Sequence, residues 1–193
     1  MNLYTYHNEP ELLNNFEQLQ SFIKLLEIDE FWRDNGHPNH IGKYEDFISQ
    51  FAEFSYYYAK DVLKARFHEG EDVISEDHEY AIAYAENVIK GRFHEGEDVI
   101  ANNSYTSFQY AKDVLKARFP KGEDVIATNT HTAYDYAKDV LKARFPKGES
   151  IIAANASYSF AYAENVIKGR FHEGEKALRK SVYWDKYKEM FLN

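Results

Sequence analysis

The sequence predicts an all-α protein: an α-solenoid of about five two-helix, 26-residue repeats with N- and C-terminal capping helices. Three observations predict it. The first is a period: Tyr58, Tyr84, Tyr110, Tyr136 and Tyr162 stand 26 residues apart, and Arg66, Arg92, Arg118, Arg144 and Arg170 keep the same step. A fixed period of roughly 20 to 50 residues marks a repeat array. The second is spacing within a copy, where Ala81, Tyr84, Ala85, Val88, Ile89 and Phe93 recur three or four residues apart, the stripe of an amphipathic helix. The third is a boundary signal. Asp77, Asn103, Asn129, Asn155 and Ser181 occupy one phase of the period, and all belong to the residue types whose side chains accept hydrogen bonds from the free N–H groups of a helix start.

Residues 1–43 do not share the repeat and read as an N-terminal helical cap. Asn8 can cap a helix over residues 9–27, with Pro10 tolerated in its first turn and Leu12, Leu13, Phe16, Leu19, Ile23 and Leu26 along one face. A second short helix is expected over residues 29–34, and Asn35-Gly36 stops it. The array spans residues 44–180. Its register already runs at Glu45-Asp46-Phe47-Ile48, 26 residues before Glu71-Asp72-Val73-Ile74. In the second copy, a longer helix A is expected over residues 78–92 and a short helix B over residues 94–101, which buries Val99 and Ile100. Pro120 and Pro146 mark the start of helix B in two copies, since proline suits a first helical position. A helix this short does not persist alone, so no single copy is expected to fold by itself. Ala81, Ser107, Ala133 and Ser159, together with the invariant Ala59, Ala85, Ala111, Ala137 and Ala163, predict close approach between neighbouring helices. Residues 181–193 form the C-terminal cap, with Ser181 expected to cap a helix from Val182 to Phe191.

The absence of cysteine excludes disulfides, a cysteine nucleophile and thiolate metal sites. The N-terminus has neither the basic start nor the apolar run of a secretory signal, and no apolar run approaches the ~18 residues of a membrane span. A soluble, cytoplasmic protein is the expectation. The net charge is −9, and it is uneven: residues 1–50 hold nine acids against three bases. An acidic chain lacks the electrostatic footprint of a DNA binder.

The residues that could carry chemistry each have a structural reading. His68-Glu69-Gly70-Glu71 and its equivalents at His94 and His172 offer metal-ligand types. They lack the pair of histidines four apart that shares a helix face, and Pro replaces the His in two copies. No metal is expected. The Arg row and the Glu row (Glu71, Glu97, Glu123, Glu149, Glu175) lie five apart, which reads as a repeated Arg–Glu pair rather than a row of anion sites. The Lys row (Lys64, Lys90, Lys116, Lys142, Lys168) imitates a nucleic-acid track, but acidic residues interleave it. No catalytic set and no cofactor site stands out. The informative positions are the ones that change. Glu79, Tyr105, His131 and Ser157 are equivalent, as are Ala83, Gln109, Asp135 and Ala161. The two sets lie four apart on helix A and so share one exposed stripe. That stripe is the candidate partner-binding surface, with neutral drift at solvent positions as the alternative.

The unit Tyr-Ala-x-x-Val-Leu/Ile-Lys-Ala/Gly-Arg-Phe-Pro/His-x-Gly-Glu resembles a short helical repeat found in many phage proteins and some bacterial proteins, and Tyr183-Trp184-x-x-Tyr187 resembles the way such arrays end. The resemblance covers residues 44–193. It implies a small α-solenoid and a phage or mobile-element origin, and carries no common activity. Ala65, Ala117 and Ala143 stand where that family has Gly, which is expected to stiffen helix A. The expected function is a non-enzymatic protein–protein interaction module, a phage-encoded binder or inhibitor of a host or defence protein. Behind it stand an acidic nucleic-acid-mimicking decoy, a nucleic-acid-binding repeat protein, and last an enzyme using His37 and His40.

Overall fold

The computed structural model describes residues 41–192; the helices expected over residues 9–27 and 29–34, with His37 and His40, lie outside the described residues. Every element described is helical, and no strand occurs among the described residues. The chain divides into two compact units between Gly96 and Glu97. In the first, α1 (Ile41–Ile48) precedes α2 (Ala52–Tyr57), which runs on as a π-helix over Tyr58–Leu63. A 3₁₀ turn, His68–Gly70, then leads into α3 (Glu71–Ser75), and α4 (His78–Tyr84) again runs on as a π-helix over Ala85–Ile89. The second unit repeats this order. It contains α5 (Glu97–Ile100), α6 (Ser104–Gln109), α7 (Glu123–Ile126), α8 (Thr130–Asp135), α9 (Pro146–Ala153), α10 (Ala156–Tyr162), α11 (Glu175–Leu178) and α12 (Trp184–Phe191). Its π segments are Tyr110–Leu115, Tyr136–Leu141 and Ala163–Ile167.

The expected starts of helix A are where the capping residues stand. Asp77 accepts the backbone N–H of Glu79 at 2.9 Å and of Tyr80 at 3.1 Å. Asn103, Asn129 and Asn155 do the same for their own helices. The fifth member differs. Ser181 accepts only from the Tyr183 N–H, and α12 begins at Trp184 rather than Val182.

Helix A ends earlier than the apolar spacing implies. In α4 and its π extension the helix stops at Ile89, and Lys90 turns left-handed at φ 55°. Arg92 and Phe93 therefore lie beyond the helix, not in its last turn. The same left-handed lysine closes every copy, at Lys64, Lys116, Lys142 and Lys168. The carbonyl of the invariant alanine accepts both closing N–H groups: Ala137 takes those of Lys142 and Ala143. Ala65, Ala117 and Ala143 thus sit outside the helix, after its terminal residue. The expectation that they stiffen it is corrected, because glycine freedom is not needed there. A side chain at the equivalent Gly91 meets only a backbone oxygen at 4.0 Å.

Helix B is also shorter than expected, a turn or 3₁₀ segment followed by four or five α residues, except where Pro146 starts the eight-residue α9. One of its two apolar residues reaches the core. Ile74, Ile100, Ile126 and Ile152 are fully buried, and Val99 and its equivalents are half-buried. The early register holds too, since Ile48 is buried like Ile74. The repeat glycine explains the small residues on helix A. A Cβ at Gly148 would come within 2.9 Å of Ala133 and 2.6 Å of Phe145, and one at Gly122 within 2.7 Å of Ser107. Corner backbone and helix A touch there, so both partners must be small.

Candidate functional site

The most constrained place in each copy is the corner between helix A and helix B. Each repeat tyrosine packs edge-on against the phenylalanine of its own copy, with centroids 5.1 Å apart for Tyr136–Phe145. Its hydroxyl reaches back to the corner before. Tyr84 accepts the Phe67 N–H at 2.8 Å and donates to Glu71 at 2.8 Å. In the second unit Tyr136 serves Phe119 and Glu123, and Tyr162 serves Phe145 and Glu149. Each of these glutamates also takes two hydrogen bonds from the arginine five residues earlier, bidentate for Arg66–Glu71 and Arg144–Glu149, all at 2.7 Å. The last link is made by a residue outside the period. Tyr187 of α12 accepts the Phe171 N–H at 2.7 Å, sixteen residues on instead of seventeen. At the start, Tyr58 donates to Glu45, where the register begins.

The electrostatics follow from this wiring. Burial alone would lift the Glu71 carboxyl, but hydrogen bonds from Arg66 and Tyr84 outweigh it and hold the group below the usual carboxylate range. Arg144 and Arg170 hold Glu149 and Glu175 low against the opposing effect of burial. Burial pushes the Tyr136 phenol up to about 12, and Tyr84 and Tyr162 are raised in the same way. Glu71, Glu149 and Glu175 are thus held ionised, satisfied and covered, which suits a structural clamp rather than acid–base chemistry. The Arg row is therefore engaged by its own copies. His68 and His172 turn towards the same carboxylates, with Nδ1 at 3.3 Å from Glu71 and at 3.9 Å from Glu175. Among the described residues no group of three or more His, Asp or Glu is placed to hold a metal ion.

Helical spacing alone puts Tyr84 in an apolar stripe and does not reveal the task of its hydroxyl. A signal for it exists. All five copies use Tyr at this position and none uses Phe, although Phe is common elsewhere in the chain.

The variable stripe lies on the first turns of helix A. Glu79 and Ala83 are on α4 of the first unit. Tyr105 and Gln109 are on α6, His131 and Asp135 on α8, and Ser157 and Ala161 on α10 of the second. Glu79, Tyr105, His131 and Ser157 are exposed, Tyr105 most notably at 55%. The inner members of each pair are half-buried. In the second unit these residues are tied to one another. Gln109 donates to the Tyr105 hydroxyl at 3.2 Å. His131 lies 3.4 Å from Asp135 through Nε2 and 3.3 Å from the Tyr158 hydroxyl through Nδ1. Tyr158 in turn sits edge-on to Tyr134, 5.6 Å away. Aromatic and amide groups held in place like this lose little freedom on binding. Tyr134 and Tyr158 join the stripe only through this contact, because they belong to other phases of the period.

A second surface lies at the far end of helix A. Lys116, Lys142 and Lys168 are exposed and left-handed, at φ 51°, 50° and 53°. A non-glycine residue in that conformation costs about 1–2 kcal/mol. A cation beside helix C-terminal carbonyls recovers only about 0.3–1 kcal/mol.

No family model, curated protein or solved structure matches this chain. Among the described residues, no helix is long and apolar enough to cross a membrane.

Proposed function

We propose that the copies stack as an α-solenoid and that the protein is a non-enzymatic protein-binding module, reading its partner through the variable stripe. One observation carries this reading. The corner hydrogen bonds recur residue for residue from copy to copy, while the exposed positions of the adjoining helix turns change from Glu79 to Tyr105, His131 and Ser157. A scaffold held constant beneath a changing face is how repeat arrays present specific surfaces. The resemblance of the repeat to phage sequences extends the proposal: the protein is phage-encoded, acts in the host cytoplasm, and its target is a host or defence protein.

The centre of binding on this reading is Tyr105, Gln109, His131 and Asp135. Tyr is among the residue types that dominate binding energies at interfaces. Affinity capture from bacterial lysate, run in parallel with the wild-type chain and with a variant carrying Tyr105→Ala, Gln109→Ala, His131→Ala and Asp135→Ala, tests it. The expected outcome is a protein retained by the wild type and lost with the variant. Identical retention by both, or none by either, counts against the stripe as the reading surface.

A further inference from the structure

The lysines that close helix A are a structural anomaly with a direction. Five copies place Lys in the left-handed conformation, where Gly or Asn would sit without strain. A residue that the backbone disfavours, repeated at every copy, points to a use for its side chain. In the second unit that side chain has no ion-pair partner: among the described residues, no salt bridge or hydrogen bond engages the amino groups of Lys116, Lys142 or Lys168. Nearby lysines behave differently. Lys112 reaches Asp139 at 3.1 Å, and Lys138 reaches the same carboxylate at 3.5 Å.

The three π segments of this unit pack against one another in order, 110–115 on 136–141 and 136–141 on 163–167, so their closing lysines form one edge. With those lysines the segments carry five lysines against Asp113, Asp139 and Glu164. Lys116 and Lys142 line a single cleft of about 170 Å³ together with Lys112 and Asp139. The surplus is local. Residues 97–193 hold 15 bases and 13 acids, whereas residues 1–96 hold 8 bases and 19 acids.

We propose that this edge binds an acidic segment of a protein partner, with Lys116, Lys142 and Lys168 receiving its carboxylates. The inference goes beyond the variable stripe, since it uses a different surface and different residues. A nucleic acid fits the edge less well. Phe108 and Phe160 beside it are buried, and the amino groups of Lys112 and Lys186 already lie over them at 5.3 and 4.9 Å, so the rings offer no stacking platform for bases.

The test uses the full chain and a fluorescein-labelled deca-glutamate peptide, followed by anisotropy at an ionic strength of about 0.01 M, where screening is weak. Wild type is expected to bind. The variant Lys116→Asn, Lys142→Asn, Lys168→Asn is expected to bind about tenfold more weakly or worse, and to melt at the same or a higher temperature because the strain is gone. The variant with arginine at the same three positions should retain binding. The proposal is overturned if wild type does not bind, if the asparagine variant binds equally well, or if that variant melts lower, which would assign the lysines to the fold. It is also overturned if an unlabelled ten-nucleotide single-stranded DNA displaces the peptide more effectively than unlabelled peptide does. None of these outcomes depends on Tyr105 or His131, so the stripe and the edge succeed or fail separately.

Discussion

The corner of each copy and the outer turns of helix A lie a few residues apart in sequence and obey different rules. At the corner, Glu149 is buried while two donors of Arg144 and the hydroxyl of Tyr162 satisfy it, and the Phe145 N–H is satisfied in turn by the same hydroxyl. Removing any of these side-chain partners strands a polar group away from water. On the outer turns, Ser157 stands where another copy has His131, and solvent accepts either. The difference teaches what the repetition is for. At the corner it fixes residues whose replacement leaves a buried group without a partner; on the outer turns of helix A it releases residues whose replacement does not.

Substitutions graded across the two regions test that contrast. The largest effect is expected at the corner ring. Phe145→Ala empties a space between Tyr136 and Gly148 and should destabilise by about 3–5 kcal/mol in chemical denaturation. Tyr162→Phe keeps the ring and removes only the hydroxyl. It leaves the buried Phe145 N–H without its acceptor, a cost of about 1–3 kcal/mol by the same measurement. If this variant is neutral, the hydroxyl is incidental and the coupling between copies is apolar.

The same network should be visible as a pH profile of melting temperature. Glu71, Glu149 and Glu175 have carboxyls lowered by folding, so their contribution is present above the unfolded carboxylate pKa and is lost as pH falls through the lower folded values. Tyr136 is raised to about 12, so its contribution is complete below the unfolded phenol value of about 10 and is lost as pH climbs from there through about 12. Tyr162→Phe should blunt the alkaline limb. Smaller again is Asn129→Ala, which frees the N–H groups of His131 and Thr132 and should cost about 1 kcal/mol. The smallest effect is expected on the outer stripe, where Tyr105→Ala should change stability by no more than about 0.5 kcal/mol.

Much of this architecture was legible in the residues. The period, the capping Asp77, Asn103, Asn129 and Asn155, the buried isoleucines and the small residues opposite the corner glycine all follow from simple rules of spacing and size. The end of helix A was not legible, because Val88, Ile89 and Phe93 keep helical spacing across a break that the backbone makes at Lys90. Residue type gave no warning, since lysine is a good helix former and a poor left-handed residue. The stripe positions were legible as variable and helical. That His131 would meet both Asp135 and Tyr158 was not, for Tyr158 comes from the next copy and the contact depends on how the helices lie side by side.

Tyr187 accepts the same kind of phenylalanine N–H that Tyr84, Tyr136 and Tyr162 accept in the copies before it. The closing bond of the terminal helix thus falls on a group that recurs in each module. Inserting or deleting one 26-residue module upstream of it would leave that closing bond available. Module number is then free to change by recombination between near-identical copies, much as a ruler is cut to length.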